Sequence, residues 1–125
     1  IGSRKIKEAI LKKRQPFIRE IQGKVFTILS QIILQLDILD FTCGFKCFSR
    51  NASKKIFLLQ RIEGWGFDSE ILFIAKKIGF SIKEIPIFWV NDPETKVRFP
   101  QDIIFSFLDL FKIRIHNFLN RYKIA

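Results

Sequence analysis

The chain has 125 residues, the size of one small domain, which is long enough to bury a hydrophobic core. Its 22 Lys and Arg residues exceed 12 Asp and Glu residues, and the formal net charge of +10 favours an anionic partner. Hydrophobic residues make up 48% of the chain, including 15 Phe, and this composition excludes a disordered basic tail.

Residues 4–36 are predicted to be helical, with a break near Gln15 and Pro16, because Pro favours the first turn of a new helix. After the break, apolar residues recur at steps of three and four, so we expect one helix face to be buried in protein or in lipid. These residues are Phe17, Ile18, Ile21, Val25, Ile28, Leu29, Ile32 and Leu36. The apolar stretch falls short of the roughly 20 residues that a membrane-spanning helix needs.

Residues 40–48 are predicted to form a loop followed by a short strand, in which Phe and Cys crowd together. Cys43 and Cys47 are too few for a disulfide framework. On one extended strand their Cα atoms would lie too far apart for a disulfide bond, so we expect free thiols in a reducing compartment. Ser49 is then predicted to cap a short helix that runs to about Leu59.

A second short helix is predicted after the turn at residues 63–66, with Asp68 as its capping residue and Lys77 in its last turn. Gly79 is expected to end this helix. Residues 82–90 are predicted to form a strand in which Pro86 marks an edge or a bulge. A polar loop rich in turn-forming residues follows at positions 91–96.

The C-terminal residues 101–122 are predicted to form an amphipathic helix. Its apolar stripe lies beside basic residues, a pattern typical of a helix on an anionic bilayer surface. Packing of this stripe against protein is an equally good interpretation. The stripe comprises Ile104, Leu108, Phe111, Ile115, Phe118 and Tyr122, and the basic residues include Lys112, Arg114, Arg121 and Lys123. We expect residues 100–123 to be the membrane-interfacial part of a single partial domain, residues 1–125.

Five short motifs, in this order and spacing, resemble those of dolichyl-phosphate glucosyltransferases and related polyprenyl-phosphate sugar transferases, within the inverting family 2 glycosyltransferases. The motifs are Ile-Gly-Ser-Arg at 1–4, Asp-Phe-Thr-Cys-Gly-Phe-Lys-Cys-Phe at 40–48, Glu-Gly-Trp-Gly-Phe-Asp-Ser-Glu-Ile-Leu at 63–72, Glu-Ile-Pro-Ile at 84–87, and residues 89–98. The resemblance implies an α/β fold that is the C-terminal part of a GT-A-like domain, with a mixed sheet, flanking helices and a C-terminal amphipathic helix.

The resemblance also implies an activity. A sugar, with glucose as the first choice, would be transferred from a nucleotide donor to dolichyl phosphate or another polyprenyl phosphate. The donor would be UDP-glucose or GDP-mannose. A divalent cation, Mg²⁺ or Mn²⁺, would be held by residues of a donor half that precedes this sequence, because no Asp-x-Asp motif occurs here. We therefore expect no metal ligands in this chain, and no activity from the chain alone.

Basic side chains are the natural ligands for the two phosphate-bearing substrates of such a reaction. The candidates are Arg4, Arg14, Arg19, Lys46, Lys96 and Arg98. Lys96 and Arg98 are our preferred clamp for the lipid phosphate, while Arg14 and Arg19 are more simply explained as solvated surface charges. Trp65, between two glycines, is predicted either to cover the sugar or lipid phosphate or to pack in the core.

Asp68 and Glu70 are the candidate catalytic residues, as a base on the acceptor side or as groups that orient a sugar hydroxyl. Two residues apart on a helix, they point roughly 200° apart, so they cannot face one substrate together. The simpler alternative is a helix cap at Asp68 and a favourable first-turn charge at Glu70.

The expected partners are a nucleotide sugar, a polyprenyl phosphate and a membrane surface, without nucleic acid. The expected location is the cytoplasmic face of a membrane, which is the plasma membrane in a prokaryote and the endoplasmic reticulum in a eukaryote. Two other functions stay open: a noncatalytic peripheral membrane protein and, with less support, a basic nucleic-acid-binding module. The second alternative requires aromatic residues interleaved with Lys and Arg on an exposed surface, whereas Phe here follows the periodicity of helix faces.

Overall fold

The fold combines four helices with four short strands, in a computed structural model that describes residues 1–13, 15–92, 98 and 100–123. The predicted α/β class is confirmed. In chain order the elements are β1 (Gly2–Ser3), β2 (Ile10–Lys13), α1 (Phe17–Leu34), α2 (Arg50–Leu59), α3 (Phe67–Lys77), β3 (Ile85–Pro86), β4 (Phe88–Val90) and α4 (Gln101–Phe118).

The N-terminal segment differs from its predicted helical state. Residues 10–13 form strand β2, which pairs with β4 in parallel, with Ile10 opposite Phe88 and Leu11 opposite Trp89. The prediction of a helix from Arg4 to the break was wrong because pairing with a strand about 78 residues further along the chain overrides the local helical periodicity. The break itself is confirmed, since α1 begins directly after Pro16.

The two sheets are smaller than predicted, and their pairs are parallel rather than mixed. Strand β1 pairs with β3, and β2 pairs with β4, so each sheet has two strands among the described residues. The predicted strand at 82–90 is reduced to β3 and β4, with Pro86 at the end of β3. The strand predicted within 40–48 does not form, although the Gly2 amide donates to the Phe45 carbonyl at 2.8 Å.

Helix α3 lies at the centre of the hydrophobic core. Every residue from Ser69 to Ala75 is buried, so α3 packs on almost all sides. Helix α2 contributes Ile56, and α4 contributes Leu110 and Ile113, each essentially inaccessible to solvent. Because α3 is held this firmly, the side chains in its first turn have a fixed position relative to the rest of the chain.

The helix ends follow the sequence signals at three of four predicted positions. The Ser49 hydroxyl accepts the Ala52 amide at 3.2 Å and caps α2, as predicted. Lys77 lies in the last turn of α3, and Gly79 follows it with a φ of +89°. Asp68 is not the cap of α3, however, because the cap is Gly66 and Asp68 lies inside the first turn.

Gly66 is required by the approach of α4. A Cβ at this position would lie 2.3 Å from the Cβ of Asp109, a separation that side chains do not adopt. The turn before α3 is therefore packed directly against α4, so this glycine serves contact between helices rather than contact with a ligand.

Helices α1 and α4 pack side by side and expose apolar side chains. The rings of Phe26 and Phe107 lie 5.5 Å apart between the two helices. The buried residues of α1 include the polar Thr27 and Ser30, whereas its apolar stripe faces outward. We call the outward apolar residues of both helices the two-helix apolar surface: Phe17, Ile18, Ile21, Val25, Ile28 and Ile32 on α1, with Ile104, Phe105, Leu108, Phe111, Ile115 and Phe118 on α4.

The predicted stripe of the C-terminal helix is exposed at every position except Tyr122, which is 1% accessible. The helix ends at Phe118, and the chain then turns at Asn120, which has a φ of +56°, and places Tyr122 against α3. Within the described residues, neither α1 nor α4 nor any other helix combines the length and hydropathy needed to cross a bilayer.

Candidate functional site

The candidate site forms where three segments meet: the residues after β1, the loop at 40–46, and the first turn of α3. The structure brings together three of the predicted site residues, Arg4, Lys46 and Asp68, and adds Asp40, which pairs with Arg4. Cys43 and Cys47 in the same loop are free thiols, as expected, with Cys43 buried and Cys47 exposed.

Arg4 is held by Asp40 in a two-pronged ion pair. Its Nε donates to Oδ2 of Asp40 and its Nη2 donates to Oδ1, both at 2.8 Å. The backbone amide of Arg4 also donates to Oδ2 of Asp40 at 2.9 Å, and Nη2 reaches the Thr42 hydroxyl at 3.1 Å. This fork geometry fixes both the position and the plane of the guanidinium group.

The ion pair shifts the protonation of both partners. Burial of the Asp40 carboxyl, which is inaccessible to solvent, tends to raise its pKa, but the hydrogen bonds and positive charge of Arg4 outweigh burial and hold the pKa below its usual value. The hydrogen bond to Asp40 raises the pKa of Arg4, and the charge of Asp68 adds to that effect. Asp40 and Arg4 are therefore both ionised at neutral pH.

Glu84 fixes Asp40 through the backbone. Its two carboxylate oxygens accept the amides of Leu39 and Asp40, each at 3.0 Å. On the other side of the site, the Arg4 guanidinium lies over the Trp89 ring, 5.5 Å from its centroid. Glu84, Asp40, Arg4 and Trp89 thus form one connected arrangement, which we call the arginine clamp.

The arginine clamp borders a groove of about 610 Å³. The groove is lined by Arg4, Cys43, Gly44, Phe45 and residues 85–89. Nη1 of Arg4 has no partner among the described residues, whereas Nε and Nη2 are both used by Asp40. The groove therefore offers a cationic donor at a wall that is otherwise mostly apolar.

Lys46 positions Asp68 and is itself fully engaged. Its ammonium donates to Oδ1 of Asp68 at 2.6 Å and to the carbonyls of Phe41, at 3.1 Å, and Cys43. An ammonium has three donors, so none remains, and the Lys46 side chain is 5% accessible. The substrate-binding role predicted for Lys46 stays a prediction, but the geometry favours a role behind Asp68, whose side chain is 29% accessible.

Glu70 points away from this site into the core. Its carboxylate accepts the amides of Arg61 and Ile62, and it accepts the Tyr122 hydroxyl at 2.6 Å. Burial, with the Glu70 carboxylate alongside, raises the pKa of Tyr122, which also lies 3.3 Å from Nδ1 of His116. Asp68 and Glu70 therefore point to different parts of the molecule, and Glu70 has the contacts of a structural anchor, while the catalytic role predicted for it stays a prediction.

The other predicted site residues are dispersed. Trp65 is half-exposed in the turn before α3, so it is not a core residue. Arg98 exposes its side chain, while its amide donates to Oδ2 of Asp102 at 2.7 Å. Lys96 and Arg14 lie outside the described residues, and no contact among the described residues joins Arg98 to the arginine clamp.

A metal ion does not fit the side chains that the structure describes. Among residues 1–13, 15–92, 98 and 100–123, no three His, Cys, Asp or Glu side chains come close enough to hold one. The two acids at the candidate site, Asp40 and Asp68, are each paired with a cation.

Sequence reasoning missed three members of the arginine clamp. Asp40, Glu84 and Trp89 all lie in the recognised motifs, but none of them was assigned a role. One signal in the sequence could have identified the two acids: each is the first residue of a motif in a strongly basic chain. Acids in such a setting tend to be paired with cations or backbone amides. The partners themselves lie about 36 and 44 residues apart in sequence and could not be identified from spacing.

Comparison with curated proteins gives similarity over nearly the whole chain. A dolichyl-phosphate beta-glucosyltransferase of Trichomonas vaginalis is 35% identical over 99% of the chain, and one of Dictyostelium discoideum is 33% identical over 98%. One of Saccharomyces cerevisiae is 38% identical over 93%. The chain spans 38%, 38% and 34% of these three relatives, respectively, so it corresponds to less than two fifths of their length. No family model and no solved structure matches the chain.

Removing the Asp40 charge is expected to destabilise the fold in a pH-dependent way. At pH 7, Asp40→Asn should lower the free energy of unfolding by about 2–3 kcal/mol, because it breaks a charge-assisted, largely buried pair. Because folding lowers the pKa of Asp40, the carboxylate stabilises above its unfolded pKa of about 4 and loses that effect as pH falls through the lower folded pKa. Urea unfolding at several pH values should show a difference in unfolding free energy between the parent and Asp40→Asn. This difference should be constant from neutral pH downward and should vanish below about pH 4.

The exposed Asp37→Asn is the matched control for Asp40→Asn. A difference in unfolding free energy that persists in acid would contradict the ion-pair assignment.

Proposed function

The chain is homologous over nearly its whole length to the dolichyl-phosphate beta-glucosyltransferases, and we propose that it forms the acceptor-binding part of such an enzyme. The complete enzyme would transfer glucose from UDP-glucose to dolichyl phosphate or another polyprenyl phosphate. GDP-mannose is the alternative donor. The fold of the complete catalytic domain would be GT-A-like, with strands β1 to β4 at one side of a larger sheet.

The observation that carries this proposal is the arginine clamp beside the groove. A phosphate acceptor is already ionised at neutral pH, so the enzyme has to hold an anion in line with the anomeric carbon rather than remove a proton. Arg4 is suited to this role because Asp40 fixes its orientation while Nη1 is left without a partner among the described residues. Residues 85–89 and Phe45 would line the path of the first isoprenoid unit.

Asp68 would act beside Arg4 as an orienting group. One of its oxygens is held by Lys46, and the other is available to accept a hydroxyl of the sugar. Such a hydrogen bond would align the sugar ring with the attacking phosphate oxygen. The bond that forms joins this oxygen to the anomeric carbon, while the bond between that carbon and the nucleoside diphosphate breaks.

A divalent cation, Mg²⁺ or Mn²⁺, would neutralise the charge of the departing diphosphate. Its ligands would lie in the donor half of the complete enzyme, as the resemblance implies. Lys96 and Arg98, predicted from the sequence as the preferred clamp for the lipid phosphate, are proposed here to contact that phosphate together with Arg4. The exposed side chain of Arg98 is compatible with that role.

Membrane attachment is proposed to use both α1 and α4. The sequence predicted a membrane-interfacial helix at 100–123. Because the two-helix apolar surface also includes residues of α1, we propose that α1 contacts the membrane as well. Helix α1 buries the polar Thr27 and Ser30 while exposing Ile28 and Ile32, an inversion that an apolar medium on the outer side would stabilise. The enzyme would then lie on the cytoplasmic face, at the endoplasmic reticulum in a eukaryote or at the plasma membrane in a prokaryote.

A noncatalytic membrane protein remains the alternative function, because the two-helix apolar surface and the net charge would serve it equally well. Nucleic-acid binding has less support, since the exposed Phe residues of α1 and α4 lie with aliphatic side chains on one surface.

Replacing the candidate orienting carboxylate tests the enzyme proposal. In the complete protein that carries this sequence, supplied with Mg²⁺, a polyprenyl phosphate and UDP-glucose or GDP-mannose, Asp68→Asn should lower kcat/KM for transfer by about 100-fold or more. The exposed Asp37→Asn, which removes the same charge elsewhere, should leave transfer within about twofold of the parent. Lipid-linked sugar from neither donor with the parent protein, together with normal vesicle binding, would favour the noncatalytic alternative.

Polar substitutions on the two-helix apolar surface test membrane attachment. Ile28→Ser with Phe111→Ser should weaken binding to phospholipid vesicles by at least about 100-fold, because each buried apolar side chain contributes roughly 1.5–3 kcal/mol. The matched control is Leu58→Ser on α2, a side chain that is 70% exposed and lies outside this surface. Equal weakening by the control, or none by the double variant, would show that α1 and α4 do not contact the bilayer.

A further inference from the structure

A second, smaller cavity lies at the opposite end of α3 from Asp68. Its volume is about 320 Å³, and it is an open depression in the surface rather than an enclosed cavity. Lys76 and Lys77 in the last turn of α3 form one side, and Arg114 and Asn117 of α4 form another. Since α3 rises about 1.5 Å per residue, this cavity, which we call the basic pocket, lies roughly 12 Å along the helix from the candidate site.

The basic pocket has the charge of an anion site. Three cationic side chains line it, and its lining contains no carboxylate among the described residues. No ion pair among those residues involves Lys76, Lys77 or Arg114, in contrast to Lys46 and Lys112, which are paired with Asp68 and Asp109. The positive charges of the basic pocket are therefore not neutralised by this part of the chain.

The remaining lining residues indicate an amphipathic ligand. Leu34, Leu36 and Phe73 are buried apolar residues that form its floor. A ligand with an anionic group beside an apolar portion would match both the cations and this floor.

The position of the basic pocket indicates where such a ligand would come from. Its walls are the C-terminal end of α1 and the last turns of α4, the two helices whose outward faces form the two-helix apolar surface. A helix pair that lies in the bilayer interface holds its flanking cations at the depth of the phosphate groups. The pocket would thus open at the headgroup layer.

We propose that the basic pocket binds the phosphate-bearing headgroup of an anionic phospholipid and sets the orientation of the protein on the membrane. This rests on the membrane attachment proposed above, and it adds a lipid site separate from the groove for the substrate. Lys77 and Arg114 contact the headgroup phosphate, and the apolar floor lies against the part of the lipid next to it.

Vesicle binding with matched charge variants tests this site. The complete protein would be measured on phosphatidylcholine vesicles with and without phosphatidylserine. Lys77→Gln with Arg114→Gln should weaken binding to the phosphatidylserine vesicles by about 25-fold, since each cation near the surface contributes about 1 kcal/mol, while binding to pure phosphatidylcholine stays unchanged. The control, Arg50→Gln with Lys54→Gln, removes the same charge from exposed positions on α2 and should cost less than about threefold.

Two results would overturn the proposal. Equal weakening by the control variant would mean that diffuse charge, not the basic pocket, selects anionic lipid. Binding of inorganic phosphate without vesicles that is lost in the Lys77→Gln, Arg114→Gln variant, while that variant keeps its phosphatidylserine preference, would assign the pocket to a free phosphate. Sugar transfer in detergent, measured on the same preparations, separates the proposals: transfer without a pocket-dependent lipid preference overturns this site alone, and absence of transfer by the parent overturns the enzyme proposal.

Discussion

The structure depends on the requirement that a buried positive charge be matched and held in place. Arg4 follows a strand of two residues, and its guanidinium is partly withdrawn from water. Asp40 supplies the opposite charge, and Glu84 fixes the backbone of Asp40. This charge matching joins three segments that are distant in sequence. The groove beside Trp89 forms because these segments are joined. An isolated arginine would lack both the orientation and the favourable electrostatics that a phosphate ligand requires.

The burial of α3 also fixes the part of the candidate site that contains Asp68 and Lys46. Asp68 in its first turn is held by Lys46 from the loop that also carries Asp40. Two residues later, Glu70 points into the core and holds the backbone at 61–62 together with Tyr122. One helix thus presents one carboxylate to Lys46 at the candidate site and uses another to connect residues 61–62 with Tyr122, which follows α4.

Local sequence signals predicted the helices well because amphipathic periodicity and capping act over a few residues. The start of α1 after Pro16, the Ser49 cap and the glycine after α3 were all predicted from their immediate neighbours. Strand β2 was missed because its state depends on β4, a partner far along the chain. Asp68 was misassigned as a cap because the close packing of Gly66 on Asp109 decides where α3 begins.

The candidate site was predictable in its residue types but not in its pairings. The motifs contain Arg4, Lys46 and Asp68, yet the sequence does not reveal that Lys46 uses all three donors on other groups or that Arg4 is oriented by Asp40. Nor does it reveal that the apolar stripe of α1 faces outward, since periodicity defines a face without defining its neighbour. These features follow from tertiary packing.

A double-mutant cycle on the arginine clamp is the most direct test of the central claim, that Glu84 and Asp40 orient Arg4 toward the lipid phosphate. In the complete protein, Arg4→Lys and Glu84→Gln should each raise KM for polyprenyl phosphate by about tenfold, leaving KM for the nucleotide sugar unchanged. The double variant should be no worse than Arg4→Lys alone, because Glu84 acts through Arg4. Multiplicative losses in the double variant, or an equal rise in KM for the nucleotide sugar, would contradict this role.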